Sequence, residues 1–348
     1  GQGYGMERLV IFGKGGIGKS TLATNLSAAM ALSGRRLLHV GCDPKHDSTV
    51  ALLEGRMIPA VVDSIDDLEG IGPEDVVTPS PLGIDCVEAG GPSAGVGCGG
   101  RGISRMFEIF KAAGLLDTGR YDVVVYDVLG DVVCGGFAAP LRKGIGEKVV
   151  IVASEELMAL YAANNIAKAV VHYASNGIAL AGIVFNLKDN AVDRSMLERF
   201  AALINARVLG YIERDPLVRD AEYRRKTVME HAPVSPIAQS YRRLAEAVLD
   251  VRVADCVLPT PLDENEFYIL AQNAFEHGGE QAAAATGAAD ATQTAQDDAP
   301  ADDGFDDDVA AGRRAVWLGL IAAEEAVSRL RHAYPERARS LAASDLVA

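Results

Sequence analysis

The run Gly13-Lys14-Gly15-Gly16-Ile17-Gly18-Lys19-Ser20 has the G-x-x-x-x-G-K-[ST] spacing of a phosphate-binding loop. Its glycines let consecutive backbone amides turn inward around phosphate oxygens, Lys19 neutralises the β and γ phosphates, and Ser20 ligates Mg²⁺. A second chemistry is carried by two cysteines, Cys98 in Gly95-Val96-Gly97-Cys98-Gly99-Gly100 and Cys134 in Val132-Val133-Cys134-Gly135-Gly136. Glycine on both sides lets backbone amides approach a large inorganic sulfide and hydrogen-bond to it. A [4Fe-4S] cluster needs four thiolates, which a twofold dimer of this chain supplies by contributing Cys98 and Cys134 twice. Packing of the two thiols in tight turns is the alternative, because no C-x-x-C spacing accompanies them.

These residues need a scaffold, and the apolar pattern describes one. Short runs rich in Val, Ile and Leu lie at Leu9 to Phe12, Leu37 to Val40, Tyr121 to Tyr126, Val149 to Ala153, Ala181 to Asn186 and Val208 to Ile212. Runs without polar alternation suit strands covered on both faces, so the expected fold is α/β, a mostly parallel sheet with helices on both faces. The phosphate loop then joins the first strand to a helix expected over Ser20 to Ser33, stopped by Gly34. Asp43 and Asp127 each follow a strand, where ligands bind in open α/β sheets, and carboxylates there can hold Mg²⁺ or orient water. Helix or turn capping is their plain alternative. Cys42, Cys86 and Cys256 read as small buried hydrophobes.

The 348 residues carry 33 Lys and Arg against 48 Asp and Glu, a net charge of −15. That balance argues against bulk attraction to nucleic acid or to anionic membranes. With no spanning segment or secretory signal, a cytoplasmic protein is expected. Residues 1–7 read as leader or vector-derived residues. Residues 278–311 hold nine acidic residues and no basic one, the composition of a disordered linker. An amphipathic helix is expected over 312–334, with Val316, Leu320, Ala323, Val327 and Leu330 on one stripe, followed by a tail over 335–348.

The early lysine, Lys14, resembles that of the deviant Walker A class of P-loop NTPases, which includes the nitrogenase iron protein and the MinD and ParA ATPases. In that class it reaches across a dimer to the partner's nucleotide. Gly13 to Thr21, Gly41-Cys42-Asp43-Pro44-Lys45, Glu88-Ala89-Gly90-Gly91-Pro92, Gly97 to Gly102, Tyr126 to Pro140, Ala162 to Ile166, Arg214-Asp215 and Arg224 to Thr227 together resemble the nitrogenase iron protein family over about residues 8–277. The resemblance implies a homodimeric, MgATP-hydrolysing reductase that takes electrons from a ferredoxin or flavodoxin. It passes them from one shared [4Fe-4S] cluster to a separate catalytic component.

It further implies that Cys98 and Cys134 ligate the cluster and that Lys14, Asp43 and Asp131 serve hydrolysis. Gly13, Gly15, Gly16, Ile17, Gly18, Lys19, Ser20, Thr21, Lys45, Asp127 and Asn186 would contact the nucleotide, Asn186 at the adenine. Asp127 and Asp131 would form a switch leading to Cys134, so that loss of the γ-phosphate moves the cluster's surroundings. Arg101 matches an arginine that some members carry ADP-ribosylated; contact with the acceptor is the alternative.

Subfamily features are mixed. His46, Glu88 to Pro92 and Phe137 to Pro140 resemble the L subunit of dark-operative protochlorophyllide reductase, whereas Arg101, Leu141-Arg142, Tyr161 to Ile166 and Tyr223 to His231 resemble the nitrogenase branch. The mosaic favours a nitrogenase-like reductase such as that of methylthio-alkane reductase, ahead of a true dinitrogenase partner. A MinD- or ParA-like positioning ATPase without a cluster is the competing class.

Overall fold

The computed structural model describes residues 5–43, 45, 47–90, 100–117, 119–128, 139–142, 144–277, 305–317 and 323–347. Cys98, Asp131 and Cys134 lie outside the described residues, as do residues 278–304 of the expected linker.

The strands are β1 (Glu7–Gly13), β2 (Leu37–Cys42), β3 (Thr78–Pro79), β4 (Asp85–Glu88), β5 (Val123–Val128), β6 (Lys148–Ala153), β7 (Ala179–Asn186) and β8 (Val208–Ile212). They form one sheet in the order β3-β4-β2-β5-β1-β6-β7-β8, parallel except for β3 against β4. Every residue of β2, β5 and β6 is buried, the environment in which unbroken apolar runs are stable as central strands. All six expected strands are present, and β5 is displaced two residues toward the carboxyl end of its run. The two remaining strands are short, and the apolar Ile84-Asp85-Cys86-Val87 run carries too little pattern to identify β4 by periodicity.

The helices that cover the sheet are α1 (Lys19–Leu32), α2 (Val61–Ser64), α3 (Gly100–Ala112), α4 (Leu157–Tyr173), α5 (Arg194–Leu203), α6 (Pro216–Tyr223), α7 (Val228–His231) and α8 (Pro236–Asp250). Parallel strands put their carboxyl ends on one edge. The phosphate loop after β1, residues 43–49 after β2, the segment after β4 that contains Cys98 and the segment after β5 that contains Cys134 therefore all leave the sheet from that edge.

The chain divides into two compact units, Gly1–Pro261 and Leu262–Ala348. The expected boundary at His277 thus falls inside the second unit, which holds α9 (Glu264–His277), α10 (Phe305–Trp317), α11 (Ala323–Ala333) and α12 (Ala343–Val347). Glu266 of α9 is tied to Arg314 of α10 by an ion pair of 2.6 Å. Where one helix is expected over 312–334, α10 and α11 pack on one another and on α12 around Phe305, Ala326, Val327, Leu330, Ala338 and Leu346. The expected linker also ends earlier than residue 311. Asp306, Asp307 and Asp308 occupy the first turn of α10, where their charge favours the positive helix terminus instead of preventing a helix.

Candidate functional site

Building from the loop upward, Gly16 and Gly18 have φ of +75° and +86°, left-handed conformations that suit glycine. A Cβ on Gly13 would stand 2.6 Å from the Val152 carbonyl oxygen, so the loop can start tight against β6 only without a side chain. α1 then begins at Lys19 with no side-chain cap on its first turn. Amides exposed at a helix start, behind a loop of this shape, make a cradle that fits the phosphates of a nucleotide. Gly15 and Gly16 are exposed at its mouth, Ile17 is buried beneath it, and Ser20 and Thr21 are half-buried.

Lys19 is buried and ion-paired to Asp127, the fifth residue of β5. Burial pushes the Asp127 carboxyl up, but Lys19 and the Ser48 hydroxyl outweigh it and hold the group below the usual aspartate range. Ser48 donates to Asp127 Oδ2 at 2.6 Å, His39 Nε2 lies 3.0 Å from Ser48 Oγ, and Ser27 Oγ lies 2.8 Å from His39 Nδ1. Burial lowers the His39 imidazole to about 4, with Asp127 acting the other way. Beside this chain, Glu88 Oε1 accepts from both the amide and the hydroxyl of Thr49 at 2.8 Å. Burial raises the Glu88 carboxyl to about 7 despite those bonds, and among the described residues Oε2 has no partner.

Asp43 is half-buried just past β2, and its carboxylate accepts from the Lys45 amide at 2.9 Å, a turn that leaves Lys45 exposed. Lys14 is half-buried, and its ammonium pairs with no described residue. Asn186, at the end of β7, donates to the Ile17 carbonyl at 2.7 Å and so braces the loop. It also lines a cleft of about 530 Å³ with Gly18, Thr21, Lys188, Arg214 and Pro216, beyond the strand ends of β7 and β8. Thr21 donates to Glu222 at 2.5 Å at the wall between this cleft and a second one lined by Ser20, Asn25, Asp47 and Lys226.

The structure thus brings Gly13, Ile17, Gly18, Lys19, Ser20, Thr21, Asp127 and Asn186 together, with Lys14, Asp43 and Lys45 on the same edge. Arg101 is the second residue of α3. Among the described residues no group of three or more His, Cys, Asp or Glu is arranged to hold a metal. Cys98 and Cys134 fit a cluster in kind, as thiolates, and their segments both start from the strand-end edge. Cys42 and Cys86 are buried and their thiols are pushed up by that burial, whereas Cys256 is half-buried and donates to the Arg252 carbonyl.

Sequence reasoning missed His39, Ser27, Ser48, Thr49 and Glu222 as individual site residues. A histidine interrupting the apolar run of β2 was the available signal for the first. Ser48 and Thr49 stand in the Asp43 segment without a feature that separates them from ordinary turn residues.

A family described as 4Fe-4S iron sulfur cluster binding proteins, NifH/frxC family, matches residues 7–276. The chain is 43% identical over 273 residues to the nitrogenase iron protein of Methanospirillum hungatei JF-1, covering 77% of this chain and 96% of that protein. It is 42% identical to nitrogenase iron protein 2 of Paenibacillus durus, covering 77% and 91%. Among solved structures it resembles the septum site-determining protein MinD of Pyrococcus horikoshii complexed with Mg-ADP, at TM-score 0.56 and 23% identity over 70% of this chain and 97% of that one. A ParA family ATPase from Chlorobium tepidum aligns at TM-score 0.53 and 17% identity, covering 71% and 99%. These two likenesses establish the α/β fold; the family match together with the loop over residues 13–20 makes it a P-loop NTPase of the deviant Walker A class.

Proposed function

The chain belongs to the NifH/frxC family of 4Fe-4S iron–sulfur cluster binding proteins, and from that premise we propose that it is the iron protein of a dinitrogenase-type system. It is an ATP-hydrolysing oxidoreductase component. The curated relatives cited above are nitrogenase iron proteins, which supports the dinitrogenase alternative over the methylthio-alkane reading suggested by the subfamily mosaic.

The observation that carries the mechanism is continuity along β5. Asp127, paired with Lys19 at the phosphate loop, lies in the same strand that runs directly into the segment containing Asp131 and Cys134. Lys19 and the first amides of α1 bind phosphate oxygens, with Ser20 as the Mg²⁺ ligand. Asp127 stands against Lys19 and would hold Mg²⁺ directly or through water, and Asp43 and Asp131 would act on the attacking water. Any change in charge at the loop alters the hold on Asp127, and the strand delivers that displacement to residues 129–138. Cys98 and Cys134 of two chains would hold a [4Fe-4S] cluster, which would supply the one-electron carrier. Lys14 reaches the nucleotide of the second protomer. A ferredoxin or flavodoxin would reduce the dimer and a separate catalytic component would accept the electron; Arg101 would contact that component, and ADP-ribosylation there would block the contact.

Anaerobic purification with iron and acid-labile sulfide analysis tests the reading: four iron per two chains are expected, lost in Cys98→Ala and in Cys134→Ala. An iron-free protein with undiminished ATPase activity would instead support the positioning-ATPase class. Mixing with a dinitrogenase component and assaying ammonia, against a methylthio-alkane reductase component and assaying released thiol, separates the two acceptors. Intact mass after incubation with NAD and an ADP-ribosyltransferase tests Arg101.

A further inference from the structure

The buried chain behind the phosphate loop can be assigned proton by proton. The Asp127 carboxylate is an acceptor only, and it already receives the Lys19 ammonium. Ser48 Oγ sits 2.6 Å from Asp127 Oδ2, and a hydroxyl carries one hydrogen. That hydrogen must point at Asp127, or two lone pairs would face each other at this distance. Ser48 Oγ is then an acceptor toward His39, so the Nε2 atom 3.0 Å away carries the ring proton. Burial lowers the imidazole to about 4, so the ring is neutral, Nδ1 is left as an acceptor, and the Ser27 hydroxyl 2.8 Å away fills it. Ser27, His39 and Ser48 are all within 1% of complete burial, so solvent cannot substitute for any link.

We propose that His39 is a positioning residue of the nucleotide site: held by Ser27 as the Nε2–H tautomer, it commits the Ser48 hydroxyl to Asp127 and so fixes the carboxylate that faces Lys19. The chain connects α1, β2, Ser48 near the end of the segment after β2, and β5, which ties all four to one imidazole. Deleting the ring leaves Ser48 able to turn, and the Asp127 carboxylate loses a fixed donor.

The inference rests on the nucleotide reading of the loop, and the experiment separates the two. Histidine-selective ¹⁵N NMR of the nucleotide-free full chain at pH 7.5 reads the tautomer directly. His39 should give the neutral Nε2–H pattern, and Ser27→Ala, which keeps the ring and its packing, should shift that pattern. Calorimetric titration with ADP, with and without Mg²⁺, reads the consequence. His39→Leu should weaken Mg-ADP binding about three- to tenfold, the range expected for one buried neutral hydrogen bond, and leave metal-free ADP nearly unchanged. His39→Gln, which can donate to Ser48 and accept from Ser27, should recover most of the loss. An Nδ1–H tautomer, or a folded His39→Leu protein that binds Mg-ADP as the wild type does, would overturn the proposal. If His39→Leu does not fold, the Ser27→Ala spectrum and the His39→Gln titration decide it. A wild-type chain that binds no ADP would instead sink the nucleotide reading and leave the tautomer result standing.

Discussion

Lys19 and Lys148 are both buried in the sheet unit, yet they stand at opposite ends of it and are satisfied in opposite ways. Lys148 opens β6 at the amino edge, and its ammonium donates to the Val248 carbonyl at 3.1 Å and the Val251 carbonyl at 2.8 Å, and meets Glu7 at 2.6 Å. Three donors meet three acceptors, two of them backbone oxygens that cannot move away. Lys19, at the carboxyl edge, has the Asp127 carboxylate as its partner among the described residues, and Asp127 is shared with Ser48. The same residue type, buried in both places, is a strut where its valences are filled; where they are left open beside the phosphate loop it fits the proposed binding of an incoming anion. The glycine loop and the uncapped start of α1 are beside only one of the two.

The largest effect expected from this contrast is on stability at the amino edge. Lys148→Met should cost about 3–5 kcal/mol, because it strands two buried carbonyls at about 1–3 kcal/mol each and the part-exposed Glu7 at less, and it should leave nucleotide affinity unchanged. Chemical denaturation and ADP titration of the same sample check both halves. At the carboxyl edge the balance reverses. Lys19→Met should weaken Mg-nucleotide binding by roughly a hundredfold, the loss expected for a charged contact. Its stability cost, which comes from stranding the buried Asp127, should be largely recovered in the Lys19→Met/Asp127→Asn double variant while binding stays lost. A double variant that recovered no stability, or one that recovered binding, would break the comparison.

Glu88 sharpens it through pH. Its carboxyl is raised from 4.5 to about 7 by burial, so the folded chain keeps a proton that the unfolded chain releases. Stability from this group is full below pH 4.5 and is lost as pH rises through 7. The difference in unfolding free energy, Glu88→Gln minus wild type, should therefore grow by roughly 3 kcal/mol at most across that window. A flat difference would mean that the carboxyl ionises normally. His39 acts with the opposite sign, since its imidazole is lowered from 6.5 to about 4 and its contribution is lost as pH falls through that range. The smallest effect is at Glu7, which is 29% exposed: Glu7→Gln keeps an acceptor for Lys148 and removes only charge, so about 1 kcal/mol or less is expected in the same denaturation assay.

Much of the carboxyl edge was legible because its parts are local. A glycine-lysine loop between a strand and a helix identifies itself within eight residues, and unbroken apolar runs identify central strands. What was not legible depends on register. Glu88 holds Thr49 because β4 pairs with β2 so that Gly41 faces Glu88, a pairing between residues far apart in the chain. His39 reaches Ser27 and Ser48 because β2 passes beneath α1 and the chain then turns back over its end. The C-terminal unit was misread for a different reason. Acidic composition argues against burial but says nothing against a helix that uses Asp306, Asp307 and Asp308 at its positive end.

In the proposed function the nucleotide edge controls the cluster. Electron paramagnetic resonance of the anaerobically reduced protein, recorded with and without saturating MgATP, tests it most directly. A [4Fe-4S] signal whose shape changes with MgATP is expected in the wild type, with no such change in Lys19→Met. A wild-type signal indifferent to bound MgATP, or no cluster signal at all, would contradict it.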